Sequence, residues 1–201
     1  MRLENDSRMI IYETKSELIA RKILVHIAQY GISDLASFSK LSKSIEVGRS
    51  LLYFYFKSEV EIIDTLYQVF VKEVDYHFEY IKERQFNFDE YLNYLVDMKV
   101  PYFMVVECMK VYQQRDEFKA FVDYVAKGID HYSQQMFIKK YQLEHMSQER
   151  LDYMYNSLRS YWFERSGHFK EWNYAKVSQL RDDLDEYILG LKDDFSSSSS
   201  S

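Results

Sequence analysis

Proline occurs once in these 201 residues and glycine five times. Tight turns draw heavily on both residues, and sheets need many tight turns. A chain so poor in them is expected to build long helices rather than many short strands. Hydrophobic residues make up 47% of the chain, enough to fill a sizeable core. The expected fold class is all-α.

Apolar residues recur at helical spacing along almost the whole length. Ile19, Ile23, His26, Ile27 and Tyr30 predict a first helix closed by Gly31. Phe38, Leu41 and Ile45 predict a shorter second helix with Ser37, or a residue just before it, at its N-cap. Val47, Leu51, Leu52, Tyr55 and Phe56 predict a third, broken by Lys57 and Ser58. Ser58 and Glu61 have capping-box spacing and open a long helix over 59–83. Asn87 and Glu90 open another, expected to stop near Pro101. Helices over about 101–112, 116–143, 148–165 and 173–192 follow. Residues 196–201 are all serine and stand as a low-complexity tail.

Charge is unevenly spread. Residues 15–57 hold Lys15, Arg21, Lys22, Lys40, Lys43, Arg49 and Lys57 against Glu17, Asp34 and Glu46, a local +4 on a chain of net charge −6. A basic segment on an acidic body is the electrostatic pattern of a small nucleic-acid-binding head. Its third helix carries the stretch GRSLLYFYFKS, in which four aromatics run from Tyr53 to Phe56 between Arg49 and Lys57. At helical spacing Leu52, Tyr55 and Phe56 turn inward and Tyr53, Phe54 and Lys57 face out. Gly48, Arg49 and Ser50 open the helix, where Arg49 can reach a phosphate or a guanine edge. Three short helices with a tight turn between the last two make a helix-turn-helix.

The stretch LSKSIEVGRSLLYFYFKSEVEI resembles the DNA-binding signature of the tetracycline-repressor-like (TetR) family of bacterial transcription regulators. The matching residues are Leu41, Lys43, Val47, Leu52, Tyr53, Tyr55, Phe56, Lys57 and Ser58, with Gly31 after the first helix. The resemblance covers residues 15–65, about a quarter of the chain. The chain departs from the pattern at Glu46, in place of a turn glycine, at Leu51 and at Phe54. The resemblance implies a DNA-binding head over 1–58, with a flexible N-terminal arm, and a helical ligand-binding and dimerisation body over 59–195. It implies a ligand-responsive repressor whose partners are a double-stranded operator, a small-molecule effector and a second copy of the chain. The contact set it implies is Ser37, Lys43, Val47, Gly48, Arg49, Ser50, Leu51, Tyr53, Phe54 and Lys57. A regulator of this fold working through a protein partner, and a helical ligand-binding protein with weak DNA binding, stay open as alternatives.

Two expectations concern the body. Pro101 should break the helical run, and Tyr94, Tyr102, Phe103, Met104, Phe121 and Tyr124 could line a pocket beside the break. Tyr155, Leu158, Tyr161 and Trp162 form one apolar stripe, and Val177, Leu180, Leu184, Tyr187 and Ile188 another. Paired across two chains, they would make a four-helix dimer interface.

Other chemistry is not indicated. The five histidines, His26, His77, His131, His145 and His168, show no metal-ligand spacing, and Cys108 is the lone cysteine. No phosphate loop or nucleophile elbow occurs, so neither enzyme activity, a metal nor a cofactor is expected. Asp182, Asp183, Asp185 and Glu186 read as a solvated helix face. No stretch reaches the about 18–20 apolar residues of a membrane span, and the N-terminus lacks a signal-peptide core. A cytoplasmic location is expected.

Overall fold

The computed structural model describes residue 10 and residues 12–197. Every regular element among them is helical. The α-helices are α1 (Lys15–Tyr30), α2 (Phe38–Ser44), α3 (Arg49–Tyr55), α4 (Glu59–Arg84), α5 (Phe88–Tyr94), α6 (Lys99–Val111), α7 (Lys119–Lys127), α8 (Ile129–Tyr141), α9 (Gln148–Arg165) and α10 (Tyr174–Ser197). Among the described residues no helix is long and apolar enough to cross a membrane. Most of the N-terminal arm lies outside the described residues. The serine tail begins inside α10, and its last four residues also lie outside them.

Side-chain caps open several of the helices. Thr14 accepts from the Glu17 amide while Glu17 accepts from Thr14, a capping box that opens α1. Asn87 and Glu90 do the same for α5. The Ser37 hydroxyl accepts from the Lys40 amide and opens α2. Ahead of α4 the Ser58 hydroxyl accepts from the Glu61 amide as expected, while the Glu61 carboxylate accepts from the Lys57 amide rather than that of Ser58.

The helix ends explain how a glycine-poor chain turns. Beyond α2, Glu46 sits at φ 54°, its N–H donating to the Lys43 carbonyl, while the Val47 N–H reaches back to Ser42. Beyond α4, Gln85 (φ 51°) and Phe86 make the same two bonds to Lys82 and Ile81. Beyond α8, Gln142 (φ 56°) and Leu143 make them to Lys139 and Ile138. Each is a Schellman cap, a motif that ordinarily puts glycine at the left-handed position. Here a residue with a Cβ occupies it all three times.

Two sequence expectations are corrected. The single helix expected over 116–143 is a 3₁₀ turn (Asp116–Phe118), α7 and α8, with Gly128 between the last two. Pro101 does not end a helix: α5 stops at Tyr94, and Pro101 lies in the first turn of α6. An amide there has no partner within the helix, so its loss is tolerated.

The chain divides into two compact units. The first takes residues up to Tyr80 and Val100–Tyr124; the second takes Ile81–Lys99 and residues from Val125. The first unit thus holds α4 as far as Tyr80 and most of α6 along with α1–α3. Its core includes Ile23, Leu24, Ile27, Leu66, Phe70 and Phe121, all fully buried. In the second unit α10 packs on α9 and α5, and α8 on α5 and α9. There the Trp172 indole N–H donates to the Leu95 carbonyl at 3.0 Å, and its ring meets Trp162 edge-on. Lys140 bridges Asp89 (2.6 Å) and Asp185 (2.7 Å).

Candidate nucleic-acid interface

The position of α3 follows from what the sequence buries. Leu41 on α2, Val47 in the turn, Leu52 on α3 and Phe56 just beyond it are all buried. Val47, one of the expected contact residues, is therefore core. It follows the left-handed Glu46, where an apolar residue closes a Schellman cap against the helix behind it. Asp34, in the 3₁₀ turn Ser33–Ala36, fixes the approach to α2. Its carboxylate accepts from the Ser44 hydroxyl at 3.1 Å and lies 3.0 Å from Nε2 of buried His26 on α1. Phe38 on α2 meets Tyr53 on α3 with ring centroids 4.9 Å apart.

The other face of α3 is open. Phe54 is 68% exposed, Tyr53 46% and Leu51 44%, and Gly48, Arg49, Ser50 and Lys57 are exposed as well. The Arg49 guanidinium lies 5.5 Å from the Tyr53 ring centre. Lys57 Nζ donates to the carbonyls of Tyr53 (3.0 Å) and Phe54 (3.1 Å), so a cation caps the C-terminus of α3. Among the described residues no carboxylate pairs with Lys43, Arg49 or Lys57. Elsewhere Arg21, Lys72, Arg115, Lys140 and Arg159 all pair with acids.

A groove of about 410 Å³ runs between the start of α2 and α3. It brings together Ser37, Arg49, Tyr53 and Lys57 of the expected contact set. Lys43, Gly48, Ser50, Leu51 and Phe54 lie outside its lining. Ser39 and Ser58, neither of them in the expected contact set, add hydroxyls; the spacing of Ser39 two residues after Ser37 was the available signal. Glu59 also lines the groove, and Arg115 engages it at 2.8 Å.

A second polar cluster escaped the sequence reading. The Tyr12 hydroxyl donates to the Glu73 carboxylate at 2.7 Å and accepts from Arg21 Nε at 3.1 Å, while Arg21 also pairs with Glu73. Burial raises the Glu73 pKa, opposed by the charge of Arg21. His77, mostly withdrawn from water, is pushed down to about 4, first by burial and then by Arg21. Alongside, Lys72 holds Glu17 at 2.5 Å and lowers its pKa. Residues more than 50 apart make these pairs, and no local pattern announces them.

The expected ligand-pocket residues are dispersed. Phe103, Met104 and Phe121 are buried, and Phe121 packs on Tyr67 and Phe70. Tyr102 lies edge-on to Phe103, and the half-buried Tyr124 donates to Asp75 at 2.5 Å. Tyr94 belongs to the second unit, against Phe86.

The expected dimer stripes are corrected in the same way. Tyr155, Leu158, Trp162, Val177, Leu180, Leu184 and Ile188 are buried within the chain, because α9 and α10 pack on each other and on their neighbours. Only Tyr161 and Tyr187 remain half-exposed, stacked at 4.5 Å, with Arg165 over Tyr161. They line a surface groove of about 550 Å³ with Tyr153 and Ser157.

No family model matches this chain, and no curated protein or solved structure matches it significantly.

Proposed function

We propose that this chain is a sequence-specific DNA-binding transcription regulator in which α3 enters the major groove. One observation carries the reading. The outward face of α3 and its surroundings present Lys43, Arg49 and Lys57 without carboxylate partners beside exposed Tyr53 and Phe54. Several cations of the body are held by carboxylates, as Lys72, Arg115 and Lys140 are, whereas these three stay available to an external anion. Phosphates fill that role, and hydroxyls of Ser37, Ser39 and Ser58 in the adjoining groove can donate to their oxygens.

One reader helix covers a half-site, so the proposal includes a homodimer. The outer faces of α9 and α10, around Tyr161 and Tyr187, offer the surface for it. A small-molecule effector that prefers one body conformation would change the separation of the two reader helices. The half-buried rings of Tyr102 and Tyr124 offer such a ligand aromatic contact.

A salt titration tests the core of this reading. Binding to a random 30-base-pair duplex, followed by fluorescence anisotropy, should weaken steeply with salt, with a log–log slope of about −0.9 per neutralised phosphate. Binding that is absent at low salt, or independent of salt, removes DNA as the partner.

A further inference from the structure

The apolar part of the α3 face has a chemistry of its own. Leu51 and Phe54, three residues apart, lie on one side of the helix and are both exposed. The Phe54 ring packs edge-on to Tyr55, and Lys57 Nζ lies 5.9 Å from its centre. The sequence of α3, RSLLYFY, contains no Asn, Gln, Asp or Glu. It therefore has no side chain to bond an adenine edge in two places and no carboxylate to accept from cytosine. Arg49 is the one group that can make a two-bond contact, and its natural match is guanine. What remains for the rest of the site is apolar contact. The major groove shows one apolar feature, the C5 methyl of thymine.

We propose that Leu51 and Phe54 read thymine methyl groups, making methyl contact the main source of sequence preference at this helix. The proposal rests on the DNA-binding reading above. Charge complementarity favours DNA over a second copy or another protein. Two apolar side chains bordered by Arg49 and Lys57, neither held by a carboxylate, match a methyl bordered by phosphates. A protein partner of an apolar patch would instead need to bury those cations.

The test uses the full chain and duplexes enriched from a randomised pool. An enriched duplex is resynthesised with deoxyuridine at every thymidine, which removes only the methyl groups. Affinity should fall about fourfold for each contacted methyl, the value of one buried methyl-sized group. Leu51→Ala and Phe54→Ala, both at exposed positions, should narrow the gap between the two duplexes while circular dichroism stays unchanged. Equal affinity for thymidine and deoxyuridine duplexes overturns the proposal and leaves the DNA-binding reading standing. A gap that both variants preserve also overturns it, because the methyl effect then arises elsewhere. No enriched duplex and no salt-dependent binding overturns both. If Phe54→Ala instead changes sedimentation and not discrimination, the face belongs to a second copy and the proposal fails.

Discussion

Glu46→Gly should make the protein more stable, although it deletes a charged side chain that touches nothing essential. Glu46 is exposed and held at φ 54° between α2 and α3. The left-handed conformation costs a residue with a Cβ about 1–2 kcal/mol. Glycine avoids that cost but gives the unfolded chain more freedom, which offsets about 0.5–1 kcal/mol. The net gain is about 0.5–1 kcal/mol, or about 1–4 °C in melting temperature for a domain of this size. Thermal denaturation followed by circular dichroism measures it. Glu46→Ala is the decisive control, since it removes the same carboxylate and keeps the Cβ. It should gain nothing in stability. In DNA binding at low salt the two variants should behave alike, each about twofold tighter if a phosphate lies within about 8 Å of the lost charge. If alanine stabilises as much as glycine, the backbone argument is wrong and the side chain was the source of the cost.

Gln85→Gly and Gln142→Gly carry the same argument to the other two caps, and each should gain about 0.5–1 kcal/mol in urea denaturation, by the same balance of strain and chain entropy. Lys57→Ala should weaken DNA binding nearly equally on all sequences and reduce the salt slope by about 1, as loss of a phosphate contact does; a strongly sequence-dependent loss would contradict that role. His77 supplies a pH dependence. Its folded pKa lies near 4 and its ordinary value is 6.5, so below pH 6.5 the unfolded chain takes up a proton the folded one refuses. Stability should therefore fall as pH drops from 6.5 towards 4, by up to about 3 kcal/mol, and His77→Gln should flatten that part of the curve in urea titrations. The dimer surface is checked by sedimentation at micromolar concentration, where Tyr187→Arg should shift a dimer towards monomer; a wild-type monomer refutes the two-half-site arrangement.

Where local chemistry decides, the sequence was readable. Ser37, Ser58 and Asn87 announce their helices because a capping hydroxyl or amide needs only the next turn to act. The split of the aromatic run held for Leu52 and Phe56 inside and Tyr53 and Phe54 outside, since helical spacing alone sorts faces. Thr14 and Glu17 have the same capping spacing and were there to be read. Periodicity failed where the question was which partner covers a face. The stripes of α9 and α10 are apolar, but the chain covers most of them itself. Glycine scarcity was a sound sign of helices and a poor guide to their ends: Glu46, Gln85 and Gln142 turn the chain where no breaker is written. Of the candidate interface, the residues near Arg49 were visible locally, whereas the absence of carboxylates beside its cations depends on how distant parts of the chain fold.

The two ion pairs between α1 and α4 have a mechanical meaning. Glu17 and Arg21 stand one turn apart on α1, and they grip neighbouring residues, Lys72 and Glu73, on α4. One pin between two rods leaves a pivot, whereas two pins make a rigid bracket. With both in place, a tilt of α4 within this unit has to carry α1 along, and through Asp34 the bracket extends to the end of α2. Cutting either pin, by Lys72→Met or Arg21→Met, would turn the bracket back into a hinge, loosening the lever without touching any side chain on the outer face of α3.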